Sequence, residues 1–426
     1  AVLGGGSAVE TTWDPQDAAA IHLRYQDVGS TLDARVDTGR TVAYTGGRVW
    51  TGSGFAERPV HVRNGRFVDA SGAPDTTIRL EGGYVVPPFG DAHTHMLADA
   101  WTARLADSLF LDKGVFYALV MTNPYSGAQQ VQGRFDGPAS LDVAYAHGGI
   151  TSTGSHPAPL YERLAGSAGD STWNRRGDAY WFVDAVEELD EVWSKYRRHG
   201  SDVVKIYLLD VAAGIDEDDM RGHGLRPDVL RAVVDSAHAA DRRVFAHVEK
   251  AADAKLALEA GVDGLAHLPG YHFAGGKPDP YRLSPATVER AGAQDLAITP
   301  TVGLAAYNYE ANNDTLRRAA RFHRETLGRL HDAGARIAIG SDVYFKSVLD
   351  EVLYLHRNEI FDNRTLLRLW TRTTPRVIFP NRKIGRIEAG YEASFLVLGH
   401  DPLDDFDRAV QAIERRVKEG RSLGQP

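Results

Sequence analysis

Two histidines, His93 and His95, are separated by one residue and follow a short apolar run. On a β-strand, residues i and i+2 point to the same side, so both imidazoles would leave the strand in one direction. Neutral imidazole is a common ligand for divalent metals. The spacing is compatible with a metal site, but also with two unrelated surface histidines, so other ligands must be sought elsewhere in the chain.

Four further residues could bind a metal, and each of them ends or interrupts a later apolar run. They are Lys205, His247, His267 and Asp342. A lone histidine after a buried strand is more often a hydrogen-bonded core residue than a ligand. Lys205 is less ordinary, because lysine is rarely buried without a partner. All six residues in this order are much harder to obtain by chance than any one of them, and together they predict a metal site.

Eight strand-like runs, which alternate with helix-like runs, would position these residues. The runs cover residues 85–95, 114–123, 141–154, 202–209, 243–249, 264–268, 296–302 and 336–342. Eight β/α units over about 290 residues match an α/β fold of the (β/α)8 TIM-barrel type. Active sites of such barrels lie at the C-terminal ends of the strands, which is where five of the runs carry the six residues.

Helix boundaries in the same region have recognisable signals. Pro227 precedes an apolar pattern with helical spacing, and Ser284 followed by Pro285 is typical of a helix N-terminus. Gly261 follows a helical run where a C-terminal glycine is expected. These signals support the alternation of helices with strands.

Short strands with turn signals stand before and after the predicted barrel. Asn64-Gly65 between alternating apolar residues predicts a hairpin. Similar short strands return near residue 383, and we expect them to pair with the N-terminal ones. The predicted organisation is an N-terminal extension (1–38), a small β-sandwich module built from both chain ends (39–84 and 381–426), and the catalytic barrel (85–380).

The composition limits the class of partner. The chain has 426 residues, a net charge of −9 and no cysteine, which excludes thiolate ligands and disulfides. Without a long basic run or a long apolar run, we expect a small-molecule substrate rather than nucleic acid or a membrane; a homo-oligomer stays open. The non-Met start and the lack of cysteine favour an exported (periplasmic or secreted) protein over a cytoplasmic one, although an artificial terminus explains the same start.

The motif Asp91-Ala92-His93-Thr94-His95, the lysine on the fourth strand, two later histidines and Gly340-Ser341-Asp342 resemble the amidohydrolase superfamily of metal-dependent hydrolases. The resemblance extends from about residue 41 to 420. The part between Lys205 and His267 is most similar to the imidazolonepropionase-like and Xaa-Pro-dipeptidase-like branch. The approach Pro87-Pro88-Phe89-Gly90 departs from the usual family pattern, which leaves the substrate open.

The resemblance implies a binuclear site. One divalent metal would be bound by His93, His95 and Asp342, and the other by His247 and His267. Lys205, carboxylated by CO2, would bridge them. Imidazole and carboxylate ligands suit Zn²⁺, and also Mn²⁺, Co²⁺ or Fe²⁺.

Such a site suits hydrolysis of an amide-type C–N bond in a dipeptide, a cyclic amide or a urea-like molecule. A hydroxide shared by the metals would attack the carbonyl, and Asp342 would act as general base and then as general acid. His147, His156 or Tyr207 would stabilise the oxyanion, and Tyr271 and His272 would line the pocket. Arg282 and Lys346 are the candidates for binding a substrate carboxylate.

Two alternatives stay open. The same metal pair supports hydrolysis of a lactone or a phosphotriester. A relative without catalytic activity, which uses the barrel as a scaffold, is an alternative of another class, since fold does not determine function. That alternative predicts missing ligands, and in this sequence none of the six is missing.

Overall fold

The computed structural model describes residues 39–70, 72–168, 175–273, 277–309 and 313–424. The predicted extension, residues 1–38, lies outside the described residues. The described chain has an α/β fold with parallel strands, as predicted. None of its helices is long and apolar enough to cross a membrane.

The described residues form twenty strands, numbered in chain order. They are β1 Thr41–Thr45, β2 Arg48–Trp50, β3 Phe55–Glu57, β4 Val60–Arg63, β5 Arg66–Val68, β6 Thr76–Arg79, β7 Tyr84–Val86, β8 Phe89–Thr94, β9 Val115–Asn123, β10 Asp142–His147, β11 Gly149–Thr151, β12 Tyr180–Phe182, β13 Val203–Tyr207, β14 Arg243–His247, β15 Gly264–Leu265, β16 Ala297–Ile298, β17 Arg336–Ile337, β18 Phe395–Leu398, β19 Ile413–Lys418 and β20 Arg421–Leu423.

The α-helices of the same residues are numbered likewise. They are α1 Ala106–Leu109, α2 Tyr125–Ala128, α3 Ala158–Ala168, α4 Val186–Tyr196, α5 Val211–Asp216, α6 Pro227–Ala239, α7 Ala251–Ala260, α8 Pro285–Ala293, α9 Leu304–Tyr309, α10 Asn313–Asp332, α11 Leu349–Arg357, α12 Asn363–Arg368, α13 Thr374–Ile378 and α14 Phe406–Gln411. A π-helical turn, Leu369–Thr373, joins α12 to α13.

Several helix boundaries follow directly from the sequence. The Ser284 hydroxyl accepts a hydrogen bond from the Thr287 N–H at 3.1 Å and thereby caps α8. Pro227 is the first residue of α6, where its missing N–H costs nothing. Gly261 ends α7 with a φ of 83°, a left-handed conformation that glycine adopts without strain. These three predicted boundaries are confirmed.

The parallel strands form two sheets. One has the order β10-β9-β8, and the other has the order β12-β11-β13-β14-β15-β16-β17. Backbone hydrogen bonds cross both junctions. At one, the Ala92 N–H donates to Ile339 C=O at 2.8 Å and the Asp342 N–H donates to His93 C=O at 2.7 Å; at the other, the Asp202 N–H donates to Tyr145 C=O at 2.8 Å. The sheets therefore meet at both ends, but the ladders of the described strands stay separate and do not form a closed ring.

The third predicted strand, residues 141–154, is divided at Gly148. This glycine has a φ of 67°, and a Cβ there would lie 2.8 Å from Trp181 Nε1. Because the backbone turns at this point, β10 pairs with β9, whereas β11 pairs with β12 and β13. The single continuous strand is therefore a wrong prediction, and β12 was not predicted as a strand.

Strands from both chain ends pair in one antiparallel-rich sheet of order β20-β19-β18-β7-β2-β3. A second sheet, β5-β4-β1-β6, includes the hairpin at Asn64-Gly65 and confirms that turn. Buried side chains such as Val62, Phe67 and Phe395 form a separate apolar cluster of these strands. The division of the chain into domains with the boundaries given above stays a prediction.

A buried ion pair joins β19 to β10. Lys418 has no exposed surface, and its Nζ lies 2.5 Å from Asp142 Oδ1. The ammonium also donates to the carbonyls of Gly137 and Ser140 at 2.7 and 2.6 Å. A buried charge is tolerated only when it is paired and hydrogen-bonded, and Lys418 meets both conditions.

Candidate metal centre and active site

The carboxylate of Asp342 lies against the two histidines of the His-x-His motif. Asp342 Oδ1 is 2.9 Å from His95 Nε2 and 3.3 Å from His93 Nε2. The backbone sets this contact, because the Asp342 N–H donates to His93 C=O at 2.7 Å. One ligand atom from each of the three residues lies within 4.8 Å of the others, a grouping that could hold a metal ion.

The other ring nitrogens determine which tautomers the two histidines adopt. His93 Nδ1 is 2.8 Å from Ala266 C=O, and His95 Nδ1 is 3.2 Å from Thr122 C=O. A carbonyl oxygen only accepts, so each Nδ1 carries the hydrogen and each Nε2 of a neutral ring presents a lone pair to Asp342. Two lone pairs facing one carboxylate repel unless a positive centre lies between them, and a divalent metal would provide it.

His247 and His267 lie beside this group. The ring centroids of His93 and His267 are 4.7 Å apart, and those of His247 and His267 are 4.4 Å apart. His267 Nδ1 contacts Thr301 Oγ1 at 2.8 Å and lies 3.7 Å from Asp342 Oδ2. His247 Nε2 is buried and has no hydrogen-bond partner among the described residues. An unsatisfied buried nitrogen next to other ligand-type groups fits a metal site.

Lys205 lies on β13, and only 1% of its surface is exposed. Burial lowers the pKa of its ammonium to about 7, although the carboxylate of Asp342 acts in the opposite direction. Its Nζ is 5.4 Å from the ring centroid of Tyr207. The amine is therefore largely uncharged above neutral pH, which is the form that can react with CO2.

Burial also controls the other titrating groups of this cluster. It lowers the pKa of His93, His247 and His267, so the three rings are neutral at neutral pH. Burial acts to raise the pKa of Asp342, but the adjacent His93, His95 and Lys205 outweigh it, and the pKa falls below its usual range. Neutral imidazoles and an ionised carboxylate are the protonation states that bind metals.

Asp91 and Gly340 hold the two motifs together, and the sequence analysis did not assign either of them a role. Asp91 accepts hydrogen bonds from the Ser341 N–H and Oγ at 3.0 and 2.8 Å and from the His93 N–H at 3.1 Å. At Gly340, a Cβ would lie 2.7 Å from the His93 backbone nitrogen. Both residues stand inside the quoted motifs, which is the signal that could have identified them.

Four of the five predicted substrate-binding residues lie around the cluster. His156 has its ring 5.3 Å from that of His247 and 5.2 Å from that of Tyr207. The Tyr271 ring stacks on His267 at 4.4 Å and lies 4.7 Å from that of His272. Tyr207 shares a hydrogen bond of 2.7 Å with Thr122.

The structure does not bring the fifth residue, His147, to the cluster. Its Nδ1 lies 3.0 Å from Asn123 Nδ2, and its ring is 5.2 Å from Tyr125 and 4.9 Å from Tyr145. It lines a separate cavity of about 870 Å³ together with Tyr125, His199 and Asp202. These neighbours of His147 lie outside the histidine cluster, and its expected oxyanion role stays a prediction.

Three aromatic residues at the edge of the cluster were missed by the sequence analysis. Tyr344 stacks on His95 with ring centroids 5.4 Å apart, and Phe345 follows it in the chain. Trp101 meets Phe345 edge-to-face at 4.7 Å. The only sequence signal is that these residues shortly follow the motifs Asp91–His95 and Gly340–Asp342.

Comparisons with known proteins agree with this arrangement. The amidohydrolase family model matches residues 143–419, which is well over half of the chain. No curated protein sequence matches the chain. Among solved structures, the chain is similar to a prolidase complexed with N-methylphosphonate-L-proline (20% identity, 91% of this chain and 100% of that chain, TM-score 0.69).

It is also similar to A. niger ochratoxinase (18% identity, 92% and 97% coverage, TM-score 0.71) and to phenylurea hydrolase B (20% identity, 90% and 96% coverage, TM-score 0.69). At such identities these likenesses show the fold, whereas the family model covers most of the strands that carry the site. The resemblance of the motifs to the amidohydrolase superfamily is confirmed, and so is the prediction of a hydrolase. The chain belongs to the amidohydrolase family.

Proposed function

We propose that this protein is a metal-dependent hydrolase that cleaves an amide-type C–N bond, and that its parallel strands form the (β/α)8 barrel of the family around the site. The observation that carries the proposal is that His95 Nε2 and His93 Nε2 lie 2.9 and 3.3 Å from Asp342 Oδ1. The solved structures that the chain resembles include enzymes whose names specify a prolidase and a phenylurea hydrolase, which supports amide-type chemistry.

In this proposal, His93, His95 and Asp342 would hold one divalent metal, His247 and His267 would hold a second, and a carboxylated Lys205 would be a ligand of both; the donor set suits Zn²⁺. Such a metal pair supplies a hydroxide nucleophile at neutral pH and polarises a carbonyl group. The lowered pKa of Lys205 supports its carboxylation, because only the neutral amine attacks CO2. The product is an anionic carbamate, which offers two oxygen ligands where the ammonium offers none.

Asp342 is the proposed proton carrier. Its pKa is held below the usual range, so it is ionised and accepts the proton that the attacking water loses. As the C–O bond forms and the C–N bond breaks, the same carboxyl group returns that proton to the leaving nitrogen. His156 and Tyr207 lie beside His247 and are the proposed donors to the oxygen that becomes negative.

Metal analysis of the purified protein tests the proposal. We expect Lys205→Ala to lose metal and amidase activity together, and short carboxylates with CO2 to restore part of both. Lys255→Ala is the matched control, because the Lys255 side chain is 66% exposed and pairs with Glu259 on α7. A Lys205→Ala protein with full metal content and activity would contradict the bridge. A wild-type protein that takes up no metal on reconstitution would contradict the metal-dependent hydrolase and leave the scaffold alternative.

A further inference from the structure

Exposed aromatic side chains are concentrated at one edge of the proposed active site. Trp101, Tyr344 and Phe345 are 52%, 42% and 46% exposed. They are three of the five large hydrophobic residues that are strongly exposed in the described part of the chain; the other two are Val186 and Ile215. Single exposed apolar side chains are ordinary, whereas several that are exposed next to one another often mark a binding site.

The three rings form a continuous aromatic edge that begins at a proposed metal ligand. Tyr344 stacks on His95 with 13° between the ring planes, and its centroid is 6.1 Å from that of Phe345. Phe345 then meets Trp101 edge-to-face. A flat group placed beside the scissile bond would therefore have ring surfaces against which to pack.

The backbone holds this edge in place. The Trp101 N–H donates to Asp99 Oδ1 at 2.8 Å, and the Phe345 N–H donates to the sulfur of buried Met96 at 3.4 Å. Phe345 also has a φ of 59°, in the left-handed region that a bulky residue rarely occupies. A strained backbone that presents a bulky ring to solvent is the kind of local cost that persists at functional sites.

Charged groups near the site do not favour an anionic substrate. Of the two predicted carboxylate-binding residues, Arg282 pairs with Glu325 at 3.8 Å, and Lys346 lies 3.6 Å over the ring of Tyr307. The carboxylate of Glu249 lies 3.8 Å from His247 Nε2 and adds negative charge at the site. Neither Arg282 nor Lys346 would therefore bind the free carboxylate of a dipeptide without giving up its present contact.

We propose that the substrate is an uncharged amide, carbamate or urea whose nitrogen carries a flat aromatic group, and that Trp101 and Phe345 bind this group. The proposal rests on the function proposed above and specifies its substrate class. Trp101 and Phe345 are specificity residues here and take no part in bond cleavage. The aromatic amine leaves as the neutral product after receiving the proton from Asp342.

The test compares two substrates on the metal-loaded protein: N-acetyl-4-nitroaniline, which is neutral and aromatic, and N-acetylproline, which carries a carboxylate. We expect a higher kcat/KM for the anilide. Trp101→Ala and Phe345→Ala should each raise its KM about tenfold with a smaller effect on kcat. Trp101→Phe should retain most of the affinity, and Val186→Ala, which removes an exposed apolar side chain on α4, should change neither constant.

Binding of the product 4-nitroaniline, measured by equilibrium dialysis, separates the two proposals. We expect Trp101→Ala and Phe345→Ala to weaken this binding by a similar factor. Faster cleavage of N-acetylproline, with the anilide constants unchanged by both variants, would overturn the aromatic proposal and keep the hydrolase. If neither substrate is cleaved, the proposed function fails for this class of substrate, and the aromatic proposal is then tested by equilibrium dialysis alone. Binding of 4-nitroaniline that neither variant weakens would overturn the aromatic proposal as well.

Discussion

His323 links two parts of the structure that support the site, and its replacement should show a specific pH dependence of stability. The ring lies on α10 and has no exposed surface. Its Nε2 is 3.1 Å from Gly270 C=O, just before the ring of Tyr271, and its Nδ1 is 2.9 Å from the Tyr354 hydroxyl on α11. Because a carbonyl only accepts, Nε2 carries the hydrogen and Nδ1 accepts from the tyrosine.

Burial lowers the pKa of His323 from 6.5 to about 4, with His272 adding to the effect and the hydrogen bond to Gly270 opposing it. The lowered pKa means that the folded state prefers the neutral ring. This contribution to stability is fully present above pH 6.5 and is lost as the pH falls towards and through 4. The difference in pKa corresponds to about 3 kcal/mol of unfolding free energy.

The perturbation is His323→Leu, which keeps an apolar side chain but leaves Gly270 C=O and the Tyr354 hydroxyl without their partner. We expect a loss of about 2–4 kcal/mol at pH 8 from two unsatisfied buried groups. On lowering the pH to 4, this deficit should shrink by up to about 3 kcal/mol, because only the wild type still has the penalty of a histidine that resists protonation.

Urea unfolding at pH 8, 6 and 4, followed by circular dichroism and by fluorescence with coincident transitions, measures both numbers. His331→Leu is the control on the same helix, since the His331 side chain is 31% exposed. A His323→Leu deficit that is the same at pH 8 and pH 4 would refute the reasoning, because it would mean that the pKa of the buried ring is not lowered.

Three other substitutions test how the site is held. Gly340→Ala should lower metal affinity, because a Cβ there would lie 2.4 Å from Thr299 Cγ2 and within 3 Å of His93. Gly328→Ala is the control and should leave the affinity unchanged, since nothing lies within 4 Å of a Cβ at that position. Metal titration measures the affinity of both variants. Asp91→Asn should weaken metal binding about 10–100-fold with little loss of helix content, because the Asp91 carboxylate holds the segment of His93 against that of Ser341. An unchanged metal affinity would contradict that role. Lys418→Met should lower the unfolding free energy by about 3–5 kcal/mol, because the buried carboxylate of Asp142 loses one of its partners. Lys195→Met removes an exposed ammonium and should lower the unfolding free energy by less than about 1 kcal/mol. Equal shifts of the melting temperature in the two variants would contradict this difference.

Local rules allowed the sequence to predict which residues would be placed together at the candidate site. The i, i+2 spacing of His93 and His95 puts both rings on one side of a strand, and a lysine inside an apolar run must be buried. Both expectations agree with the structure, in which Lys205 is 1% exposed. The helix-capping signals at Ser284 and Gly261 worked for the same reason, because each depends on a few neighbouring residues.

Contacts between distant parts of the chain were decided by the tertiary structure alone. Asp91 meets Ser341 across 250 residues, and this pairing brings Asp342 to the two histidines. His147 ends β10 just before the turn at Gly148, and its ring packs on Tyr125 and Tyr145, which come from other parts of the chain than the histidine cluster.

The aromatic edge has the same origin. Trp101 and Phe345 come from loops after the first and last of the eight predicted strands, and they meet only because the backbone joins those strands at Ala92 and Ile339. The sequence by itself thus determined the type of chemistry through residue identity and local spacing. Strand pairing, which depends on long-range hydrogen bonds and packing, decided which side chains surround the candidate site.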